Sequence, residues 1–382
     1  MNVLFLAGGL WQKPFVQYLK SQGLKITVVN PIVTETTLLA DHHLVADIND
    51  LDKINEYIEK TKPCFITSDQ SDVSTLIVAQ LSEKWGLIGN HSKVIKYFSN
   101  KFAMCELCKS IGIQVPETAL IDSVEDVCQF GKTYGFPIII KPIDATMSRG
   151  FRKLENQDDV QEQIITDCLT FSKSKQIIAQ KFIDGDMITL EGVCSGGKHR
   201  TIASSKKDKY LKPGINSGVR YPCNLAVLKD VIQFNDRYVE AAGMIFGLTH
   251  GEYIVNENGQ YFIEIGARGG GSGIADKIVP WVSGVNSYDI MFRSLCGQII
   301  DVKSLSLLNR PAHLKYYTQE EVNNPDIAAI LAIPGVAAFH YNFMGQQYVQ
   351  DKLDVRHSMG IYLAETNSEL EQITSMVSKL LK

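Results

Sequence analysis

The stretch Thr249 to Arg268, THGEYIVNENGQYFIEIGAR, constrains this chain more than any other. Two apolar runs flank Asn258-Gly259, a strong short-range signal for a β-hairpin. Its register decides which side chains share a face, because strand side chains alternate. A two-residue loop at Asn258-Gly259 pairs Glu257 with Gln260 and sets Glu252 and Glu264 on opposite faces. A three-residue loop over 257–259, with Gly259 left-handed, pairs Asn256 with Gln260 and brings Glu252 directly across from Glu264. The second register is the expectation. Two facing carboxylates about 5 Å apart repel by roughly 3 kcal/mol at an effective dielectric near 20. They are tolerated where one holds a proton or a cation sits between them. Hard oxygen ligands on a rigid strand pair suit Mg²⁺, which takes one or two carboxylates plus phosphate oxygens and water. Glu252 and Glu264 are therefore the candidate metal ligands. The plain alternative is that one of them is a solvated surface residue.

The same face continues through Gly266 to Arg268, about two strand steps from the acids and able to reach an oxyanion beside a metal. Glycines at 269, 270, 271 and 273 follow, leaving backbone N–H groups free to approach an anion. Two lysines fit a polyphosphate. Lys141 ends an apolar strand, FPIIIKP, an awkward place for a charge unless it faces a ligand. The next loop, Asp144 to Gly150, supplies Ser148, Arg149 and Gly150. Lys101 opens a helix after Ser99-Asn100. Singly, each lysine is more often a surface residue.

The first ninety residues alternate strands (Val3–Ala7, Lys25–Val29, Cys64–Thr67) with helices (Lys13–Gln22, Ile54–Thr61, Ser74–Lys84), which predicts a parallel sheet with crossover helices. A dinucleotide fold does not follow. Gly8-Gly9 lacks the third glycine of GxGxxG, and Asn30 stands where a ribose-binding acid belongs. Gly131-Lys132-Thr133 imitates the end of a P-loop, but Asp126 occupies the required glycine position in a helical stretch. From about residue 93 come a helix near Ser99–Gly112 and strands at Phe136–Lys141, Ile177–Ile183 and Ile188–Cys194. Turn-rich stretches at 143–150, 206–218 and 266–273 read as loops over a ligand. A last segment from about 304 carries its own strand and turn signals and ends in a helix, Glu369 to Leu381. The division expected is 1–92, 93–303 with a lid roughly over 115–190, and 304–382. The fold class is α/β, with α+β character in the central part.

Composition closes off other classes. The chain has 45% hydrophobic and 21% charged residues and a formal net charge of −4. That is ordinary globular material with no long charge run, so neither a nucleic-acid coat nor a membrane tether is expected. No apolar stretch is long enough to span a bilayer, and the apolar start lacks the basic flank of a signal peptide. Eight scattered cysteines suggest a reducing cytoplasm. Cys105 and Cys108 form a CxxC inside a helical pattern, where core packing is expected over metal or redox chemistry.

Taken in order, these features resemble the ATP-grasp superfamily over nearly the whole chain, including its preceding α/β domain. Relatives include biotin carboxylase, the halves of carbamoyl-phosphate synthetase and L-amino acid ligases. The resemblance implies that Lys101 and Lys141 bind ATP phosphates and that the loop 144–150 closes over them. It implies that Gln180-Lys181-Phe182-Ile183-Asp184-Gly185 is the hinge against adenine, that Glu252 and Glu264 hold Mg²⁺ (or Mn²⁺), and that Arg268 is catalytic beside Lys141. The departures are Gln180 for a usual glutamate and Met187 for a ribose-binding glutamate, with Asp186 or Glu191 as substitutes. Ala145, Thr146 and Met147 replace frequent glycines, and Gly266 replaces an asparagine. The implied reaction phosphorylates a small-molecule carboxylate and joins it to an amine with release of ADP. Carboxylation or carbamoyl-phosphate chemistry on bicarbonate, and a non-catalytic ATP-binding protein, stay open. Arg220, Tyr221, His250 and the glycine cluster are the positions expected near the substrates. The oligomeric state is open, a homodimer being one option.

Overall fold

The computed structural model describes residues 1–382 apart from 147, 209, 213–214, 343–347, 350–351 and 354–355, and apart from the side chains of 210–212, 215, 348–349 and 352–353. Three main sheets carry the fold. The first is parallel, in the order His42–Val45, Lys25–Asn30, Asn2–Leu6, Phe65–Thr67. Its apolar strands are covered by crossover helices, among them Lys13–Ser21, Leu51–Thr61 and Asp72–Trp85. The α/β expectation for this region stands.

The second sheet is small and antiparallel: Thr118–Ile121, Ile177–Lys181, Ile138–Pro142, Arg152–Leu154. Helices Val124–Tyr134 and Glu162–Thr170 belong to the same unit. Val127, Phe130, Ile138, Ile140, Ile165 and Ala179 form its own core. The third sheet has eight strands, each antiparallel to its neighbours. It starts with Gly259–Gly266, Phe246–Asn256, Asp186–Ser195, Lys198–Lys207 and Gly218–Tyr221, and continues through Ala312–Tyr317, Ser358–Leu363 and Val336–His340. The division expected at residue 304 therefore does not interrupt hydrogen bonding, since Gly218–Tyr221 pairs directly with Ala312–Tyr317.

Packing ties these parts together. One core joins Val3, Phe5 and Ile26 of the first sheet to Val193, Leu248, Leu314 and Ile361 of the large one. A second lies on the hairpin's inner face, where Tyr238, Tyr253, Phe262 and Ile265 meet Met104 and Cys108. Cys105 and Cys108 are buried and unpaired, as the helical spacing predicts. Among the described residues no helix is long and apolar enough to cross a membrane.

Candidate active site

The hairpin sets the site, by a route the sequence did not show. Asn256 pairs with Gly259, so the loop is the two residues Glu257-Asn258 rather than the expected three. Gly259 does take a positive φ, 142°, but as the first residue of the return strand. Uninterrupted, this register would put Ile263 opposite Glu252. A β-bulge between the Glu252 and Tyr253 positions inserts one residue, and Glu252 comes to face Glu264. Ile263 is the extra residue. Phe262 and Ile265 point into the core, while Ile263 and Glu264 both line the cavity on the other face.

Neither a shared proton nor an intervening ion is needed to hold the two acids together. Lys207 Nζ lies 2.8 Å from Glu252 Oε1, and Lys101 Nζ lies 3.2 Å from Glu264 Oε2. Lys101 is the first residue of helix Lys101–Ser110, capped by the Asn100 side chain, and also donates to the Ala145 carbonyl at 2.7 Å. Lys207 ends strand Lys198–Lys207 and reaches over the intervening strand, where Thr189 pairs with both Glu252 and Ser205. Burial works against the charge of Glu252, yet Lys207 and His250 hold its carboxyl well below the usual carboxylate range.

Behind this pair sits a buried relay. His250 is the cross-strand partner of Glu191, and its Nδ1 donates to Glu191 Oε1 at 2.6 Å. Its Nε2 faces Glu252 Oε1 at 3.5 Å. Burial opposes the imidazolium, but Glu191 and Glu252 push its pKa up to about 9. The Tyr221 hydroxyl donates to Glu191 at 3.3 Å from the other side. His250 thus lines a cavity beside Glu252 and Glu264, Tyr221 lines a different one with Asp186, and Glu191 serves the histidine.

A cavity of about 340 Å³ lies between the small sheet and the hairpin. Lys141 lines it from strand Ile138–Pro142, buried and without a hydrogen-bond partner among the described residues. Burial, then the nearby charge of Lys101, pushes its pKa down to about 8. Gln180, Lys181, Phe182 and Ile183 line the same cavity. Gln180 Nε2 donates to Thr118 Oγ1 at 2.8 Å, and Lys181 Nζ is tied to the Gly135 carbonyl at 2.9 Å. Lys153 caps the Phe182 ring at 3.9 Å. Ile254, Ile263 and Met187 complete an apolar wall.

Ser148 and Arg149 line this cavity too, with Arg149 Nε held to the Thr146 carbonyl at 3.2 Å. Gly150 does not line it. It makes a turn with φ 71°, where a Cβ would lie 2.8 Å from Pro142. Met147 lies outside the described residues. Asp186 turns away, pairing with Lys206 at 2.8 Å and lining a neighbouring cavity with Arg220, which is held by Asp208 at 3.0 Å.

Arg268 is bound bidentately by Asp72, the first residue of helix Asp72–Trp85, at 2.9 and 3.1 Å. The following Gly269 N–H donates to the buried Asp69 at 2.9 Å, so the glycine stretch is anchored to the first sheet's loop. Lys207, Asp72, Lys153, Ile254 and Ile263 were not expected from the sequence. Only the Lys206-Lys207 doublet carried a local signal. Among the described residues no cluster of three or more His, Cys, Asp or Glu could hold a metal alone. Two carboxylates instead suit an ion that completes its shell with phosphate and water oxygens.

Residues 98–272, which include Lys101, Lys141, the segment from Gln180 to Ile183 and the bulged hairpin, match the family model for the ATP-grasp domain. This stretch is an ATP-grasp domain. The chain is 23% identical over 277 residues to the carbamoyl phosphate synthase large chain of Archaeoglobus fulgidus, covering 69% of this chain and 25% of that protein. It thus spans about a quarter of the length of that relative. It is 24% identical to the formate-dependent phosphoribosylglycinamide formyltransferase of Sulfurisphaera tokodaii, over 96% of this chain and 92% of that one. Its fold is similar to that of an L-amino acid ligase from Bacillus licheniformis, with a TM-score of 0.80, 15% identity, and coverage of 99% and 97% of the two chains. The ATP-grasp domain is thus set among flanking parts that share the neighbour's fold from end to end.

Proposed function

We propose that this chain is an ATP-dependent carboxylate–amine ligase. The γ-phosphoryl group of ATP passes to a carboxylate, giving an acyl phosphate and ADP. An amine then attacks the acyl carbon, and phosphate leaves as the amide forms. The observation that carries the reading is the facing pair Glu252 and Glu264, each matched to a lysine, at the mouth of a cavity floored by a buried lysine. The names of the relatives, an L-amino acid ligase, a carbamoyl phosphate synthase and a formate-dependent formyltransferase, support the same class.

Each residue has a part in this chemistry. Glu252 and Glu264 would hold Mg²⁺ or Mn²⁺, which supplies neutralisation of the triphosphate's charge. Lys141 and Lys101 bind phosphate oxygens, and the segment from Gln180 to Ile183 receives the base. Arg268, steadied by Asp72, stabilises negative charge on the transferring group or on the tetrahedral oxyanion. The small sheet and the loop 144–150 close over the phosphates as a lid, because an acyl phosphate is lost if water enters. Eight unpaired cysteines fit a reducing cytoplasm.

The test is ADP release screened against pairs of amino acids and small carboxylates, with mass spectrometry of the product. Glu264→Gln and Lys141→Ala are expected to abolish release while circular dichroism stays unchanged. Near-normal turnover in either variant overturns the assignment.

A further inference from the structure

A second cavity, of about 850 Å³, shares Lys101, Lys207, Glu252 and Glu264 with the nucleotide cavity and runs from there toward helix Asp72–Trp85. On the ligase reading, the acceptor for the phosphoryl group sits in it, since the two spaces meet at the paired acids. Its charge pattern away from that junction is one-sided. Lys93, Lys96 and Lys173 line it, all three exposed, and none has an ion-pair partner among the described residues. Lys93 and Lys96 stand three residues apart on one helical turn and so share a face. Lys173 arrives independently, from the segment that follows helix Glu162–Thr170 in the small-sheet unit.

The acids of this cavity do not answer those lysines. The Asp144 carboxylate accepts from Ser172 Oγ at 2.9 Å and from the Ser174 N–H at 2.8 Å, and Asp72 is committed to Arg268. Glu83 and Asp47 act on Lys93 and Lys173 only from beyond ion-pair range. Five lysines and Arg268 against four acids leave this cavity two positive charges in excess before His250 is counted, against the chain's net charge of −4. Grouped cations in a concave, partly apolar wall raise the local concentration of anions and steer them inward. Leu76 and Phe98 supply apolar lining.

We propose that this cavity takes a substrate bearing a second anionic group, a phosphate or an additional carboxylate, held by Lys93, Lys96 and Lys173 while the reacting carboxylate lies at the Glu252–Glu264 end. The inference rests on the ligase reading for the direction of the substrate. Lys173 belongs to the small-sheet unit, so the lid closure of the ligase reading would carry the third cation with it.

The test is calorimetric titration of compounds matched except for one charge, in the presence of Mg²⁺ and a non-hydrolysable ATP analogue. Glutamate is compared with glutamine, and O-phosphoserine with serine. The more anionic member of at least one pair is expected to bind about 10-fold tighter or more. In the double variant Lys93→Ala, Lys96→Ala that preference falls to about 3-fold or less, while affinity for the analogue stays unchanged within about 2-fold. Equal binding of both members in every pair, or a preference that survives the double substitution, overturns the proposal. ADP release with the same compounds is read separately. Charge-dependent binding without any ADP release would leave the anion site standing and remove the ligase reading.

Discussion

Arg268 meets Asp72 across 196 positions of sequence, with Nε 2.9 Å from Oδ1 and Nη2 3.1 Å from Oδ2. The two-point contact fixes the plane of the guanidinium and ties the end of the hairpin to the first sheet's helix. Arg268 Nη1 also donates to the Gly269 carbonyl at 3.3 Å. On the ligase reading Asp72 is a positioning residue, lining the second cavity beside Arg268 and fixing the guanidinium there. Asp72→Asn keeps the shape but loses the charge, and kcat is expected to fall about 10- to 100-fold. The KM for ATP is expected to stay within about 3-fold, because the nucleotide cavity is untouched. Steady-state kinetics on the two variants Asp72→Asn and Asp72→Glu check this, the second retaining more activity than the first. A rise in the KM for ATP with kcat preserved would contradict it.

Lys141 should set the alkaline limb of the pH profile. Burial and the neighbouring Lys101 push its pKa down to about 8 in the free protein. The charged form, which binds phosphate on the ligase reading, is present below that value and is lost as pH rises through it. The kcat/KM for ATP, which reports groups of the free enzyme, is therefore expected to be flat near neutrality and to drop about 10-fold per unit well above pH 8. Lys141→Arg keeps its charge throughout, so its profile stays level in this range even if its absolute rate is lower. A descending limb unchanged in the arginine variant would assign the titration to another group.

How much of this was legible beforehand depends on whether the information was local. Lys141 stood out because a charge at the end of an apolar strand demands a reason. The expected pairing of Glu252 with Glu264 holds, but through a compensation. The loop is one residue shorter than expected and the return strand one residue longer, and the bulge at Ile263 has no mark in a regular Phe-Ile-Glu-Ile run. Strand Lys198–Lys207 carries no strand signal, because its sequence, KHRTIASSKK, looks polar, yet most of it is buried. It is held by hydroxyl contacts such as Thr189 with Ser205, and by His199, which bonds Asp236 and Thr249 at 2.8 Å each. That hid Lys207, whose position follows only from knowing which strand lies two places from Glu252. Asp72 was invisible for a similar reason: at a helix N-terminus an acid already has an ordinary explanation.

The pairing of Lys207 with Glu252 has a consequence for metal binding. With each acid matched to an ammonium, the free protein avoids most of the carboxylate repulsion. Lys207→Met removes one countercharge and is expected to lower the melting temperature by about 2 °C, the scale of a partly exposed ion pair in a chain this long. Added Mg²⁺ then replaces the missing charge. The stabilisation by Mg²⁺ alone is expected to be larger in the variant than in the unaltered protein, read by thermal denaturation with and without the ion. Equal shifts in both proteins would mean that the ion binds away from these acids.

The inserted residue itself offers a test that separates nucleotide contact from acid placement. Ile263 lines the cavity beside Ile254 and Met187, and it is also the residue whose insertion turns Glu264 outward. Ile263→Ala removes apolar surface worth about 1–2 kcal/mol against a bound base. The backbone bulge does not depend on the size of this side chain, since its neighbours Phe262 and Ile265 remain anchored in the core. The KM for ATP is therefore expected to rise about 5- to 20-fold with kcat nearly constant. Glu264→Asp gives the opposite signature, a fall in kcat with smaller change in KM, because it shortens the reach of a ligand without touching the apolar wall. If Ile263→Ala instead lowers kcat and spares the KM, the side chain is holding the bulge in register, and the apolar wall is not where the base lies.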